Sequence, residues 1–194
     1  MVSPDSRFTR SMQIGLVRHF QIPHRLSAWL DAEGFTRWID WYDGAHGDAT
    51  DAARERMRAT GPWDACFSSH LPRAEVTAAA LHDGAVRTTP LLREVPFAPA
   101  TDRGVRLPVF LWQAASRAAW LAGHGSQPES RLETQARVGD ALDLICHAHP
   151  DGRVLVVGHG FLMQMLAREL HRRGFRGRVP LRPRGGTVYP FSRD

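Results

Sequence analysis

Two histidines close two apolar runs that lie far apart in the chain. Met12 to Val17 leads into Arg18-His19, and Val154 to Val157 leads into Gly158-His159-Gly160. Both runs are strand-sized, and neighbouring parallel strands carry their ends to one edge of a sheet, where ligands of such folds bind. There one imidazole can act as nucleophile while nearby arginines hold an anion against it. The chemistry this suggests is phosphoryl transfer through a phosphohistidine. Arg-His alone says little, because about one such dipeptide arises by chance in a chain this rich in both residues.

Other segments add weight. Ser68-Ser69-His70-Leu71-Pro72-Arg73-Ala74 puts an arginine in the first turn of a helix that follows a strand. A cation there opposes the helix dipole unless an anion is bound. Leu91-Leu92-Arg93-Glu94 puts a carboxylate after an extended segment. His159 sits at a strand-to-helix turn, where free amide groups favour an anion.

The pattern around these residues predicts the elements that must carry them. Strands are expected at 12–18, 65–68 and 153–157, an extended stretch at 86–92 and a final edge strand at 187–191. Helices are expected at 27–33, 50–59, 72–81, 109–121, 129–147 and 161–173. Strands alternating with helices imply an α/β fold, a three-layer α/β/α sandwich with a mainly parallel central sheet. With 194 residues, one domain over 1–194 is the expectation, with 1–11 as a loose leader and 96–128 as a cap insertion.

Composition narrows the chemistry. All 25 basic residues are arginine, for a net charge of +5, so Schiff-base and P-loop lysines are excluded. Most of that arginine bias reads as genome composition, although the planar fork suits phosphate. Cys66 and Cys146 are too few for a disulfide framework and read as small packed side chains. No apolar run is long enough for a membrane span, and the N-terminus lacks a signal-peptide pattern, so a cytoplasmic location is expected. His147-x-His149 reads as helix-end histidines rather than metal ligands. The arginine-rich run 171–186 reads as a solvated connecting loop rather than a nucleic-acid surface. Trp38, Trp41, Trp112 and Trp120 read mainly as packing anchors of the cap.

Taken in order, Leu16-Val17-Arg18-His19, Ser68-Ser69-x-Leu71-x-Arg73-Ala74-x-x-Thr77-Ala78, Leu92-Arg93-Glu94, Pro128-Glu129-Ser130 and Val157-Gly158-His159-Gly160 resemble the histidine phosphatase superfamily, the phosphoglycerate mutase-like group. The resemblance implies a hydrolase, a phosphatase of small phosphorylated substrates, with His19 as the phosphorylated nucleophile. It implies a phosphate clamp of Arg18, Arg73 and His159, with Glu94 as proton donor. No metal and no cofactor is implied, because arginine and histidine supply the positive charge.

The chain also departs from that pattern. Phe20 stands where the family has glycine, and Gln21-Ile22-Pro23-His24 lacks the Ser/Thr and Asn of the mutases. That disfavours a phosphomutase, the first alternative. The second is a catalytically weak phosphoryl-binding or interaction protein, and the retained histidines, arginines and glutamate argue against it. Phe20 is expected at negative φ with its ring at the pocket mouth, and His24 is expected beside the pocket. Substrate identity and oligomeric state are not legible.

Overall fold

The computed structural model describes residues 11–23, 27–48, 51–102 and 104–193. The strands are β1 (Met12–Arg18), β2 (Trp29–Leu30), β3 (Ala65–Ser69), β4 (Val86–Thr89), β5 (Leu107–Pro108), β6 (Arg153–Gly158), β7 (Arg176–Gly177) and β8 (Val188–Arg193). The helices are α1 (Ala32–Gly44), α2 (Asp51–Arg58), α3 (Pro72–Leu81), α4 (Val109–Leu121), α5 (Arg131–Ala148) and α6 (Gly160–Arg172). A 3₁₀ turn at Pro90–Leu92 follows β4.

Six strands form one sheet in the order β4-β3-β6-β1-β8-β7. The first four run parallel, and β8 joins β1 antiparallel. β8 was expected at the edge, but the two-residue β7 pairs with it and covers it. The core of β6, Val-Leu-Val-Val, does not alternate because helices cover both faces of the sheet. Ile14, Leu16, Val154 and Val156 pack on Leu142, Ile145 and Leu166 of α5 and α6. Val17, Leu155 and Val157 face the other way, onto Met57 of α2 and Ala74 and Ala78 of α3. The three layers expected from the sequence are present.

A third core lies over the carboxyl side of the sheet. Phe35 of α1 and Val109 and Trp112 of α4 pack together, beside the small β2–β5 ribbon. The sequence reading ended a short helix at 33, yet α1 begins at Ala32. Asp31 caps it, its side chain accepting from the Gly34 amide at 2.8 Å. α1 therefore shares the cap with the 96–128 insertion, as expected from Trp38 and Trp41. Four rings stack near-parallel through it. Trp112 lies on Phe35 (5.5 Å, 12°), Phe35 on Trp38 (5.8 Å, 8°), and Trp38 on Tyr42 (5.0 Å, 14°).

Phe20 corrects an expectation. Its backbone is at negative φ as expected, but the ring is 3% exposed and packs with Val17, Ala53 and Met57, not at a pocket mouth. Gly186 closes over it at φ +63°, and a Cβ there would lie 2.5 Å from the ring. The ring fills space that only glycine leaves open. His24 lies outside the described residues, as does the expected leader apart from Ser11. Among the described residues no helix is long and apolar enough to cross a membrane.

Candidate active site

Four adjacent parallel strands each deliver one part of the site at their carboxyl ends. β1 delivers Arg18 and His19, and β6 delivers His159. β3 delivers Ser69 and, one turn later, Arg73, and β4 leads through the 3₁₀ turn to Glu94. The register sets Arg18 opposite Gly158. The His19 amide donates to the Gly158 carbonyl at 2.9 Å, which locks the two strand ends together. The His19 and His159 rings lie 5.2 Å apart, centre to centre.

His19 Nδ1 lies 2.6 Å from the Phe20 carbonyl oxygen. A carbonyl can only accept, so Nδ1 carries the proton and Nε2 carries the lone pair. This is the tautomer a nucleophile needs. His159 is fully buried, and its Nε2 lies 2.9 Å from the Ser69 hydroxyl. Burial first, then Arg73, His19, Arg18 and His70, hold its pKa well below the usual histidine value. At neutral pH it is an uncharged imidazole with one N–H to donate.

Arg73 is 1% exposed. It donates to the Tyr42 and Asp43 carbonyls (2.8 and 3.3 Å) and to the Asp43 carboxylate (3.0 Å). These bonds use three of the five guanidinium donors. What remains is Nε–H, buried without a protein partner, and one hydrogen on Nη2. That pair is the side-on fork that matches a phosphate. Tyr42 stands against the same guanidinium, 4.6 Å from its ring centre, and 6.3 Å from the His19 ring. Burial raises the Tyr42 pKa, opposed by Arg73 and Arg18. Arg18 donates to the Pro183 carbonyl at 3.2 Å, which draws the C-terminal loop to the site.

Glu94 sits where β4's connection meets α6. It accepts from the Val95 and Leu162 amides at 2.9 Å and from Phe161 at 3.2 Å. The first amides of α6 were expected to face an anion, and they are instead held by Glu94. This bond set fixes the carboxyl to the turn that carries His159. A buried ion pair holds the same loop from below. Arg137 pairs with Glu129 through two bonds of 2.7 and 2.8 Å and donates to the Leu91 and Arg93 carbonyls (2.8 and 2.9 Å).

Arg18, His19, Tyr42, Arg73 and Glu94 open onto a cleft of about 440 Å³. The cap contributes Phe97 and Arg117, and Arg117 lies between the rings of Phe97 (3.8 Å) and Phe161 (4.3 Å). Burial lowers the Arg117 pKa, with Glu94 opposing. Sequence reasoning missed Tyr42, Asp43, Arg117 and Arg137, whose roles depend on approach in space. It also read the 171–186 run as a solvated loop, whereas Leu181, Arg182 and Pro183 form part of the cleft wall. Cys66 packs as expected, its thiol pushed up to about 12 by burial.

The sequence profile of the histidine phosphatase superfamily, branch 1, matches residues 17–183. Among solved structures, the chain is similar to mycobacterial hydrolase 2 (22% identity, 94% of this chain and 82% of that one, TM-score 0.57). It is similar to the α-ribazole phosphatase from Shigella flexneri (19%, 92% and 89%, TM-score 0.58). It is also similar to a mycobacterial glucosyl-3-phosphoglycerate phosphatase (23%, 89% and 82%, TM-score 0.52). At these identities the likeness is one of fold. No curated protein matches the chain.

Proposed function

This chain belongs to the histidine phosphatase superfamily, and we propose that it is a metal-independent phosphomonoester hydrolase working through a phosphohistidine at His19. The observation that carries this reading is the His19 tautomer. Its Nδ1–H is tied to the Phe20 carbonyl, which leaves the lone pair on Nε2, and Arg73 with its unfilled fork lines the same cleft.

In the first half-reaction, the Nε2 lone pair attacks phosphorus and the bond to the alcohol oxygen breaks. Protonated Glu94 gives its proton to that oxygen, so a neutral alcohol leaves. Arg18 and Arg73 balance the charge on the equatorial oxygens, and the neutral His159 donates one hydrogen bond. In the second half, the Glu94 carboxylate takes a proton from water as the water oxygen attacks phosphorus. The P–N bond breaks, Nε2 regains its lone pair and inorganic phosphate departs. Preformed donors need no reorganisation at the moment of reaction, which is where they gain over water. The substrate is a small phosphorylated molecule.

The test is rapid quenching of the enzyme with a radiolabelled aryl phosphate in the presence of a chelator. An acid-labile label on the peptide containing His19 is expected, absent from His19→Ala. Full turnover without any labelled intermediate would end the proposal.

A further inference from the structure

We propose that the outer half of the cleft is an anion subsite, in which Arg168 and Arg182 bind a second acidic group on the alcohol portion of the substrate. This deepens the hydrolase reading, which places the ester phosphate at Arg18 and Arg73. Five arginines line the cleft, and Glu94 is the one carboxylate among the lining residues. A single phosphate dianion is balanced by the two clamp arginines. Arg117 is occupied by the Val95 and Pro96 carbonyls and by two aromatic rings. Arg168 and Arg182 are left over.

Both are exposed, yet each stands in the wall of the cleft. On α6, Gly160, Gln164 and Arg168 recur at four-residue spacing and all line the cleft. One face of the helix therefore runs outward from the phosphoryl site as a floor. Glu169 is the one acid of α6, and it is engaged by Arg172 and Arg173, each at 2.7 Å. Arg173 also pairs with Asp143 at 2.6 Å. Among the described residues, Arg168 and Arg182 have no carboxylate partner. Arg182 is held at the rim from both sides. Gln164 donates to the Pro180 carbonyl at 2.8 Å, and Arg18 donates to that of Pro183 at 3.2 Å. Leu181 and Arg182 lie between these two anchors, and Leu181 is 87% exposed beside the opening.

The spacing selects a substrate size. Arg168 follows Gly160 by eight residues, about 12 Å along the axis. A helical side chain leans toward the N-terminus, which brings the guanidinium nearer the phosphoryl site than that. An interval of less than about 12 Å calls for a short spacer between ester phosphorus and second anion. The substrate class is a compact phosphomonoester with a distal phosphate or carboxylate.

Non-hydrolysable phosphonates separate binding from turnover. Calorimetry would compare hexylphosphonate, hexane diphosphonate and phosphonohexanoate on the wild-type protein, on Arg182→Gln and on Arg168→Gln/Arg182→Gln. The two ligands with a second acidic group should bind at least tenfold tighter than hexylphosphonate, about 1.4 kcal/mol. The preference should fall to below threefold in the double variant, with Arg182→Gln between. Whichever of the two gains more identifies the second group as phosphate or carboxylate. Equal affinities on the wild type would overturn the subsite, as would a preference that survives both substitutions. Turnover of an aryl phosphate by the same preparation judges the hydrolase reading separately. Turnover without preference removes the subsite alone, and preference without turnover removes the hydrolase alone.

Discussion

The two ends of the cleft use the same residue type in opposite ways. At the inner end, Arg73 is fully buried and three of its donors are committed before any ligand arrives. At the outer end, Arg168 and Arg182 are exposed and unpaired with any described carboxylate. Ordering an exposed arginine on a ligand costs up to about 2 kcal/mol of rotamer entropy. For Arg73 that loss occurred on folding. On the proposed function the inner end would stabilise a fixed charge distribution, which lowers a barrier. The outer end would recognise, and tolerate variation in shape. That reading places rigidity where bonds change and slack where substrates differ.

The contrast breaks most severely at His19. His19→Ala should lower kcat about ten-thousandfold, near 5.5 kcal/mol of barrier, without lowering the melting temperature. A residual rate within tenfold of wild type would show that the inner end does not act through this nucleophile.

Next comes the support beneath the inner end. Glu129→Gln leaves the buried Arg137 without its counter-charge, and removing one partner of a buried pair costs about 3–5 kcal/mol. Urea unfolding reads that loss. Arg137 also grips the loop that carries Glu94. Alkyl phosphates, which need the proton, should therefore lose more rate than aryl phosphates. Equal losses for both leaving groups would confine the pair to stability.

An identical exchange at both ends sharpens the comparison. Arg73→Lys removes the fork and should cost about 2.7–4 kcal/mol in kcat/KM. Arg168→Lys keeps the charge on a solvated arm and should raise KM for a doubly anionic ester by less than about tenfold. Similar losses at the two positions would erase the distinction between them.

The smallest effect is in pH. Folded His159 holds a proton less readily than the unfolded chain, where histidine titrates near pH 6.5. The unfolded state therefore binds more protons in acid. The associated stability is whole above about pH 6.5 and declines as pH falls below it, by up to about 1.4 kcal/mol per unit. His159→Gln should flatten that part of a urea-unfolding series run between about pH 5 and 7. An unchanged slope would mean another group carries it.

The inner end was largely legible in the sequence, because its residues sit at strand ends. Arg18, His19 and His159 follow runs whose apolar character predicts buried parallel strands, and the sheet makes their adjacency unavoidable. Arg73 was visible through Pro72, which marks a helix start. Tyr42, Asp43, Arg117 and Arg137 were not, because each acts on a partner at least 21 residues distant. Phe20 was misplaced for a related reason. The space its ring occupies is defined by Gly186, at the far end of the chain. The start of α1 did leave a signal, an Asp31 cap ahead of Glu33, but the turn at Pro23 drew the reading too early. Arg182 was read as part of a solvent-facing loop, and Arg168 only as part of a helix, because composition alone does not show which arginines lack partners.

The four stacked rings of the cap have an optical consequence. Two indoles, Trp112 and Trp38, sit in one column that ends on Tyr42, and Tyr42 touches the guanidinium of Arg73. Tyrosine absorbs at higher energy than indole, so excitation of Tyr42 passes to Trp38 and the column emits as indole. An anion that fills the free fork of Arg73 changes the field at the Tyr42 end of that column without moving the guanidinium. The protein thus carries its own emission gauge of inner-end occupancy, readable with inorganic phosphate alone and with no label attached.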